Sequence, residues 1–330
     1  MPQEKRFFFT VSLKADQSDT LIVTAKVNGK HTSDPTEIKV KYSKGNVDVV
    51  VGSLSQLHYP MTLNDYYGNN LFNDSQLEAL SKLVDRRLAK VREKSGVDTK
   101  LIYLVAPNNL TIYPETARDE WKAKKKTTDS RRQQFIRMMN ERNDPNTIAI
   151  DIVDFMTQNK DKGKLYYQTD THWNTLGAYF GYYMLMKAIA VDFPAAAPYE
   201  LDKFDVKAIK QDGGDLVRFL GITTSQGSET TYSCTLSGAS QATVVSEDGA
   251  IPSTAFVTST VNNSKLPTAV VMRDSFGYSI QKFLYEHFEK LTYTPQSCGL
   301  DTAMTYVADA KPDYFIHILI ERYIDQLLGG

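Results

Sequence analysis

Cysteine is scarce in this 330-residue chain, which holds only Cys234 and Cys298. Two thiols exclude a cysteine-rich zinc site and a disulfide framework, and leave one bridge or two unpaired thiols as alternatives. A charge of one sign is also lacking: 38 Lys and Arg stand against 39 Asp and Glu, a formal net charge of -1. No global field therefore steers the chain onto nucleic acid, and anion binding has to come from a local patch. Long uncharged apolar runs are absent too. The longest, Leu176 to Phe193, carries Lys187 in its interior and Gly177 and Gly181 near its start, whereas a spanning helix needs about 20 largely uncharged residues. It is predicted as a buried helix. The opening Met1-Pro2-Gln3-Glu4-Lys5-Arg6 lacks the apolar core and small-residue cleavage site of an export signal. His31, His58, His287 and His317 are scattered without ligand spacing, and neither His-x-x-x-His nor Cys-x-x-Cys occurs, so neither metal nor cofactor is expected.

What is present suits an ordinary globular protein, with 42% hydrophobic and 23% charged residues. Residues 1–52 read as a small β module with strands at Arg6 to Leu13, Thr20 to Val27, Glu37 to Val40 and Val47 to Val51, rich in Val, Ile, Thr and Phe and broken by Gly, Asn, Asp and Pro. From residue 53 the pattern changes. Ser75-Gln76-Leu77-Glu78 reads as a capping box, and Leu77, Leu80, Val84, Leu88 and Val91 mark one face of a helix ending near Gly96. Leu101 to Val105 follows as a strand, then a helix over Arg131 to Asn140 and a strand over Ile148 to Ile152. The alternation returns with Thr268 to Met272, a helix from Gly277 to Phe288, Lys290 to Thr294, a helix over Leu300 to Ala310, and Tyr314 to Ile320. Short apolar strands separated by helices predict an α/β fold, a parallel sheet covered by helices on both faces. Residues 204–266, rich in Gly, Ser and Thr, are expected as an irregular insertion within a catalytic domain of residues 53–330.

Two constellations carry chemistry. In Tyr166 to Asn174, a polar loop before the apolar helix, Asp170 stands two positions before His172. An imidazole acting as a base needs an acceptor on its second nitrogen, and Asp170 is placed to supply one. The structural alternative is that Asp170 or Asn174 caps the helix while His172 packs. In Ala269 to Gly277, a buried strand runs through Arg273-Asp274-Ser275 into a helix. Strand, turn, nucleophile and helix would place the Ser275 hydroxyl at the sheet's carboxyl edge beside free backbone N–H groups. There the alternative is that Asp274 or Ser275 is an ordinary N-cap.

Asp170-Thr171-His172-Trp173-Asn174 followed by Gly177-Ala178, with Arg273-Asp274-Ser275-Phe276-Gly277 about a hundred residues later, resembles the alginate O-acetyltransferase family of SGNH-hydrolase-like proteins. The resemblance extends to Ala106-Pro107-Asn108-Asn109, Ile112-Tyr113-Pro114-Glu115, Gly214-Asp215-Leu216 with Leu220-Gly221, Lys311-Pro312-Asp313 and Glu321-Arg322-Tyr323, over most of residues 50–330. It implies a three-layer, flavodoxin-like SGNH architecture and a catalytic triad of Asp170, His172 and Ser275. The order is permuted relative to ordinary SGNH hydrolases, since the His motif precedes the Ser, and Arg273 stands where Gly-Asp-Ser has its Gly. Beside Ser275 N–H, Asn108 or Asn109 is the candidate second oxyanion donor, the alternative being that both are turn formers after Pro107. Tyr113, Trp173 and Tyr323 are candidates to stack on sugar, with ordinary packing as the alternative in a chain of 19 Tyr and 15 Phe, and Arg273 and Arg322 are candidates to lie near substrate.

The implied activity is serine-dependent transfer of acetyl to hydroxyls of an exported or cell-surface polysaccharide, with no metal or cofactor. The implied donor partner is a membrane-bound O-acyltransferase, and the implied location is extracytoplasmic, with any signal or anchor outside these residues. The same triad would serve a carbohydrate acetyl esterase, and the fold without its chemistry would serve a glycan-binding protein. Lys122, Lys124, Lys125 and Lys126 with Arg131 and Arg132 form a basic cluster. It is either a solvated face or a hold on an anionic glycan.

Overall fold

The computed structural model describes residues 49–329 apart from 222, 226 and 250–254, together with the backbone of four short strands at Ser18–Val23, Lys26–Val27, Lys30–His31 and Thr36–Lys41. The first and last of these pair antiparallel, as do the middle two. The strand expected at Arg6 to Leu13 lies outside the described residues. Val50–Val51 pairs with Leu57–His58.

Nine longer strands follow: β1 (Lys100–Ala106), β2 (Thr147–Asp151), β3 (Phe204–Gln211), β4 (Glu229–Leu236), β5 (Thr243–Asp248), β6 (Phe256–Thr260), β7 (Thr268–Arg273), β8 (Lys290–Pro295) and β9 (Tyr314–Ile320). The main helices are α1 (Asp74–Ser95), α2 (Arg131–Arg142), α3 (Thr175–Ile189), α4 (Asp215–Phe219), α5 (Phe276–Leu284) and α6 (Gly299–Ala310). A seven-stranded sheet runs β5-β6-β8-β7-β9-β1-β2. From β8 to β2 every neighbouring pair is parallel, while β5 and β6 join antiparallel at one edge.

Alternation along each strand builds two cores. Ile102, Leu104, Val271, Ile316 and Ile318 face α3 and α5, packing with Leu176, Tyr182, Phe276 and Ile280. Leu101, Tyr103, Val270, Phe315 and Leu319 face α1, α2 and α6. Burial on both faces accounts for the unbroken apolar runs of these strands.

Helix α1 starts two residues earlier than the expected capping box places it. Asn73 is its N-cap, in a capping box with Gln76, and the Ser75 hydroxyl merely donates to Asn73 Oδ1 at 2.7 Å. Gly96 closes the helix with a left-handed φ of 67°.

The segment expected to be irregular is largely ordered. β3 and β4 form a hairpin with Phe204 opposite Leu236 and Gln211 opposite Glu229, and its connection carries α4. β5 and β6 extend the main sheet. Composition hid these strands because they are rich in polar residues, with β3 mostly exposed and β5 exposed over its whole length. Cys234 and Cys298 are both unpaired thiols.

Candidate active site

In the parallel part of the sheet, β1 leads outward to β2 on one side, whereas β9 and β7 lie on the other. Ligand crevices form beyond the carboxyl ends of strands where the order switches in this way. Three loops meet there: Pro107 to Asn109 after β1, Asp274 to Ser275 after β7, and Glu321 to Tyr323 after β9.

Ser275 opens α5 with helical backbone angles, φ -62° and ψ -26°, and its side chain makes no capping bond. The hydroxyl is exposed and lies 2.7 Å from His172 Nε2. Asp274 does the local work instead. Its Oδ1 accepts from Phe276 N at 2.8 Å and its Oδ2 from Ile320 N at 2.6 Å, tying the turn to β9. Gly277 is dictated by close approach, since a Cβ there would stand 2.5 Å from Arg273 Cβ.

On the other wall, Asp170 Oδ1 accepts from His172 Nδ1 at 2.6 Å and from His172 N at 3.0 Å. Asn174, not Asp170, caps α3, accepting from Gly177 N at 3.0 Å. Burial pushes the Asp170 carboxyl up, but the hydrogen bond and charge of His172 outweigh it and hold the group below its ordinary value. Carboxylate, imidazole and hydroxyl thus form one continuous relay, in which His172 and Ser275 lie 103 residues apart in the chain. Such a relay can deprotonate a serine hydroxyl and stabilise the resulting imidazolium.

Two further acids from the 204–236 hairpin grip the loop. Asp215 Oδ1 accepts from Thr171 N at 2.8 Å, its Oδ2 from Thr171 Oγ1 at 2.6 Å, and Asp215 N donates to Asp170 Oδ2 at 2.9 Å. Glu229 accepts from Gln168 N at 2.5 Å, from Thr169 N at 3.1 Å and from the Thr169 hydroxyl. Gln56 Nε2 donates to Tyr167 O and Gln168 O, both at 3.0 Å. Sequence reasoning quoted Asp215 only inside a motif and missed Glu229 and Gln56. The Gly214-Asp215 pair before a short helix was the one local signal. Asp170, His172 and Asp215 are also the one cluster of metal-ligating types found together among the described residues. Their facing atoms are already hydrogen-bonded to one another and to the loop.

Several expected contacts are corrected. Trp173 is fully buried, its Nε1 donating to Phe276 O at 3.1 Å, so it cannot stack on a sugar. Arg273 is 2% exposed with its guanidinium 5.8 Å from the Tyr278 ring, beneath the turn and out of reach of substrate. Asn108 has its groups committed: N to Glu321 Oε1 at 2.7 Å, Nδ2 to Asp65 Oδ2 at 3.1 Å, and Oδ1 accepting from Arg322 at 3.2 Å. Asn109 lines the small cleft that Asp170, Thr171 and Tyr59 also line. Tyr113 accepts from Leu165 N at 2.9 Å through its hydroxyl, pushed up to about 12 by burial, and Lys160 Nζ sits 4.3 Å over its ring. It is therefore no open platform. Arg322 is buried, its guanidinium 5.2 Å from Tyr323, 5.7 Å from Tyr59 and 5.3 Å from Phe276. Tyr323 remains half-buried on that cation.

The basic cluster dissolves in three dimensions. Arg131 pairs with Asp65 at 3.0 Å and Arg132 with Glu321 at 3.1 Å, both in the interior. Only the four lysines stay on the surface.

Residues 66–277 match a protein family described as the SGNH hydrolase-like domain of the acetyltransferase AlgX. Among solved structures, Bacillus cereus PatB1 carrying a sulfonyl adduct is similar over 84% of this chain and 97% of its own, at 13% identity and a TM-score of 0.62. The O-acetyltransferase domain of Pseudomonas putida AlgJ is similar over 84% and 92%, at 16% identity and a TM-score of 0.50. A DHHW family protein from Eubacterium siraeum is similar over 76% and 88%, at 14% identity and a TM-score of 0.53. At such identities the likeness speaks for the fold. No curated protein sequence matches the chain.

Proposed function

Because this chain belongs to the family of SGNH hydrolase-like AlgX acetyltransferase domains, we propose that it is a serine-dependent O-acetyltransferase acting on sugar hydroxyls of a polysaccharide. The observation that carries this reading is the hydrogen-bonded relay from Asp170 through His172 to an exposed Ser275 hydroxyl. As Ser275 Oγ attacks the acetyl carbonyl, its proton passes to His172 Nε2. The donor's leaving oxygen takes that proton back as its bond to acetyl breaks. An acetyl-serine remains, and a sugar hydroxyl repeats the sequence in reverse, giving its proton to His172 while the acetyl moves to its oxygen.

The oxyanion formed in each half needs donors. Of the first amides of α5, Phe276 N is taken by Asp274 Oδ1 and Gly277 N by Asp274 O. We assign the role to Ser275 N–H with the Asn109 amide from the adjoining loop. Tyr323, with Tyr59 beside it, is the aromatic surface we assign to the acceptor sugar.

The donor in this reading is an acetyl group delivered by a membrane-bound O-acyltransferase, and the setting is outside the cytoplasm. Among the described residues no helix is long and apolar enough to cross a membrane. Incubating the protein with an activated acetyl ester, with and without oligosaccharides, tests the reading. Acetylated sugar that depends on Ser275 is the expected result. Acetate alone would make the protein an esterase, and the lack of an acetyl adduct on Ser275 would end the serine mechanism.

A further inference from the structure

The relay needs one carboxylate, yet the hairpin brings a second one to the same ring nitrogen. Asp215 Oδ2 lies 3.8 Å from His172 Nδ1, with Thr171 Oγ1 between them, 2.6 Å from the carboxylate and 3.2 Å from the ring. The two oxygens of Asp170 are divided between two tasks: Oδ1 holds His172, and Oδ2 is held by Asp215 N. This approach is close enough to demand glycine at the preceding position, because a Cβ on Gly214 would fall 2.1 Å from Asp170 Oδ2.

Such an arrangement is costly. Asp215 is half-buried, and burial together with the charge of Asp170 lifts its carboxyl above the ordinary range. The ionisable groups facing it are Asp170 and His172, with Glu229 behind Asp170. If its purpose were only to anchor Thr171, a neutral amide would serve without the electrostatic penalty. A negative charge kept where it is disfavoured is useful when a positive charge arrives, and one arrives on His172 when it takes the Ser275 proton.

Resting on the acyl-transfer reading above, we propose that Asp215 is a positioning residue of that site. Through Thr171 and its own N–H it fixes the Asp170 carboxylate against the His172 ring, and its charge joins that of Asp170 in stabilising the imidazolium. The 204–236 hairpin is then a working part of the catalytic apparatus, holding four consecutive residues, Gln168 to Thr171, by bonds from Glu229, Gly214 and Asp215.

The test compares the wild-type chain, Asp215→Asn and Ser275→Ala. Three quantities are read: the rate at which phenylmethylsulfonyl fluoride labels Ser275, by mass spectrometry; turnover of 4-nitrophenyl acetate across pH; and the thermal midpoint. For Asp215→Asn the expected result is a fall of ten-fold or more in labelling rate and kcat, with KM within two-fold. The acidic limb of the kcat/KM profile should move to lower pH, and the midpoint should be unchanged or higher. Rates within two-fold of wild type would overturn the proposal. So would a loss of rate that tracks a lowered midpoint and leaves the pH limb in place, which marks a merely structural residue. A wild-type protein that is never labelled at Ser275 defeats the acyl-transfer reading itself. Labelling of the wild type at the same rate as Asp215→Asn defeats only the role given to Asp215.

Discussion

The two walls of the cleft are built on opposite plans. The Ser275 wall is made of regular elements: β7 ends, Asp274 bridges the turn to β9, and α5 begins, all within ten residues of chain apart from that one link. The His172 wall is an irregular loop. It is held by side chains from Gln56, Asp215 and Glu229, which lie between 44 and 112 residues away in sequence. Local rules govern the first wall and distant hydrogen bonds the second. In the proposed reaction a nucleophile must sit in one place on a rigid edge, whereas a base must be aimed, a task that reading gives to the clamps.

Removing the hydroxyl is the bluntest way to test whether both walls serve one reaction. Ser275→Ala should lower acetyl transfer by about 10⁴-fold or more, the scale at which nucleophile loss is felt in triad enzymes, and glycan acetylation assays would read it. Asn109→Ala, which touches neither wall but the loop between them, should cost about 10²-fold in kcat with little change in KM, as loss of one oxyanion donor does. Survival of full activity would remove Asn109 from the site.

Two glycines sharpen the comparison. Gly214→Ala forces a methyl onto Asp170 and should lower kcat by about 10²-fold through misplacement of the relay. Its effect on unfolding should be small, because the clamp lies at the surface of the cleft. Gly277→Ala drives a methyl into the buried stem of Arg273 and should cost about 1–3 kcal/mol in denaturant unfolding. Equal stability losses in the two variants would erase the distinction between the walls.

The smallest expected effect is electrostatic. Asp170 sits below its ordinary value, so it adds stability above the unfolded carboxyl range, and that stability is lost as pH falls through its folded pKa. Glu229 sits above its ordinary value, chiefly through burial, so its ionised form costs stability near neutrality and the cost is relieved as pH falls through its folded pKa. Thermal midpoints followed downward from neutrality should show wild type gaining on Glu229→Gln before about pH 4 is reached, and losing ground to Asp170→Asn only below about pH 4. Parallel curves would show that neither carboxyl titrates differently in the folded protein.

Legibility in the sequence follows the same division. The alternation of apolar strands and periodic helices exposed the parallel sheet, and the strand-turn-helix pattern singled out Ser275, because both depend on neighbours in the chain. Glu229 gave no signal, since nothing near it in sequence reveals that it satisfies amides sixty residues earlier. The order of strands beyond β8 was equally hidden, as β5 is a polar, exposed edge strand and β6 beside it is short and rich in Thr and Ser. Trp173 was assigned to sugar stacking on residue type alone, although its burial was written nearby. Gly177 and Gly181, one helical turn apart, leave room for a large ring: added Cβ atoms would stand 2.9 Å from Trp173 Cβ and 3.0 Å from Trp173 Cη2.

That buried indole has a mechanical consequence. It follows His172 directly in the chain and bonds to the carbonyl of Phe276, which follows Ser275 directly. One rigid bicyclic spacer therefore joins the backbone beside His172 to the backbone beside Ser275, and neither can drift without carrying the other. The gap between imidazole and hydroxyl is gauged from behind, by a ring fully closed off from the cleft.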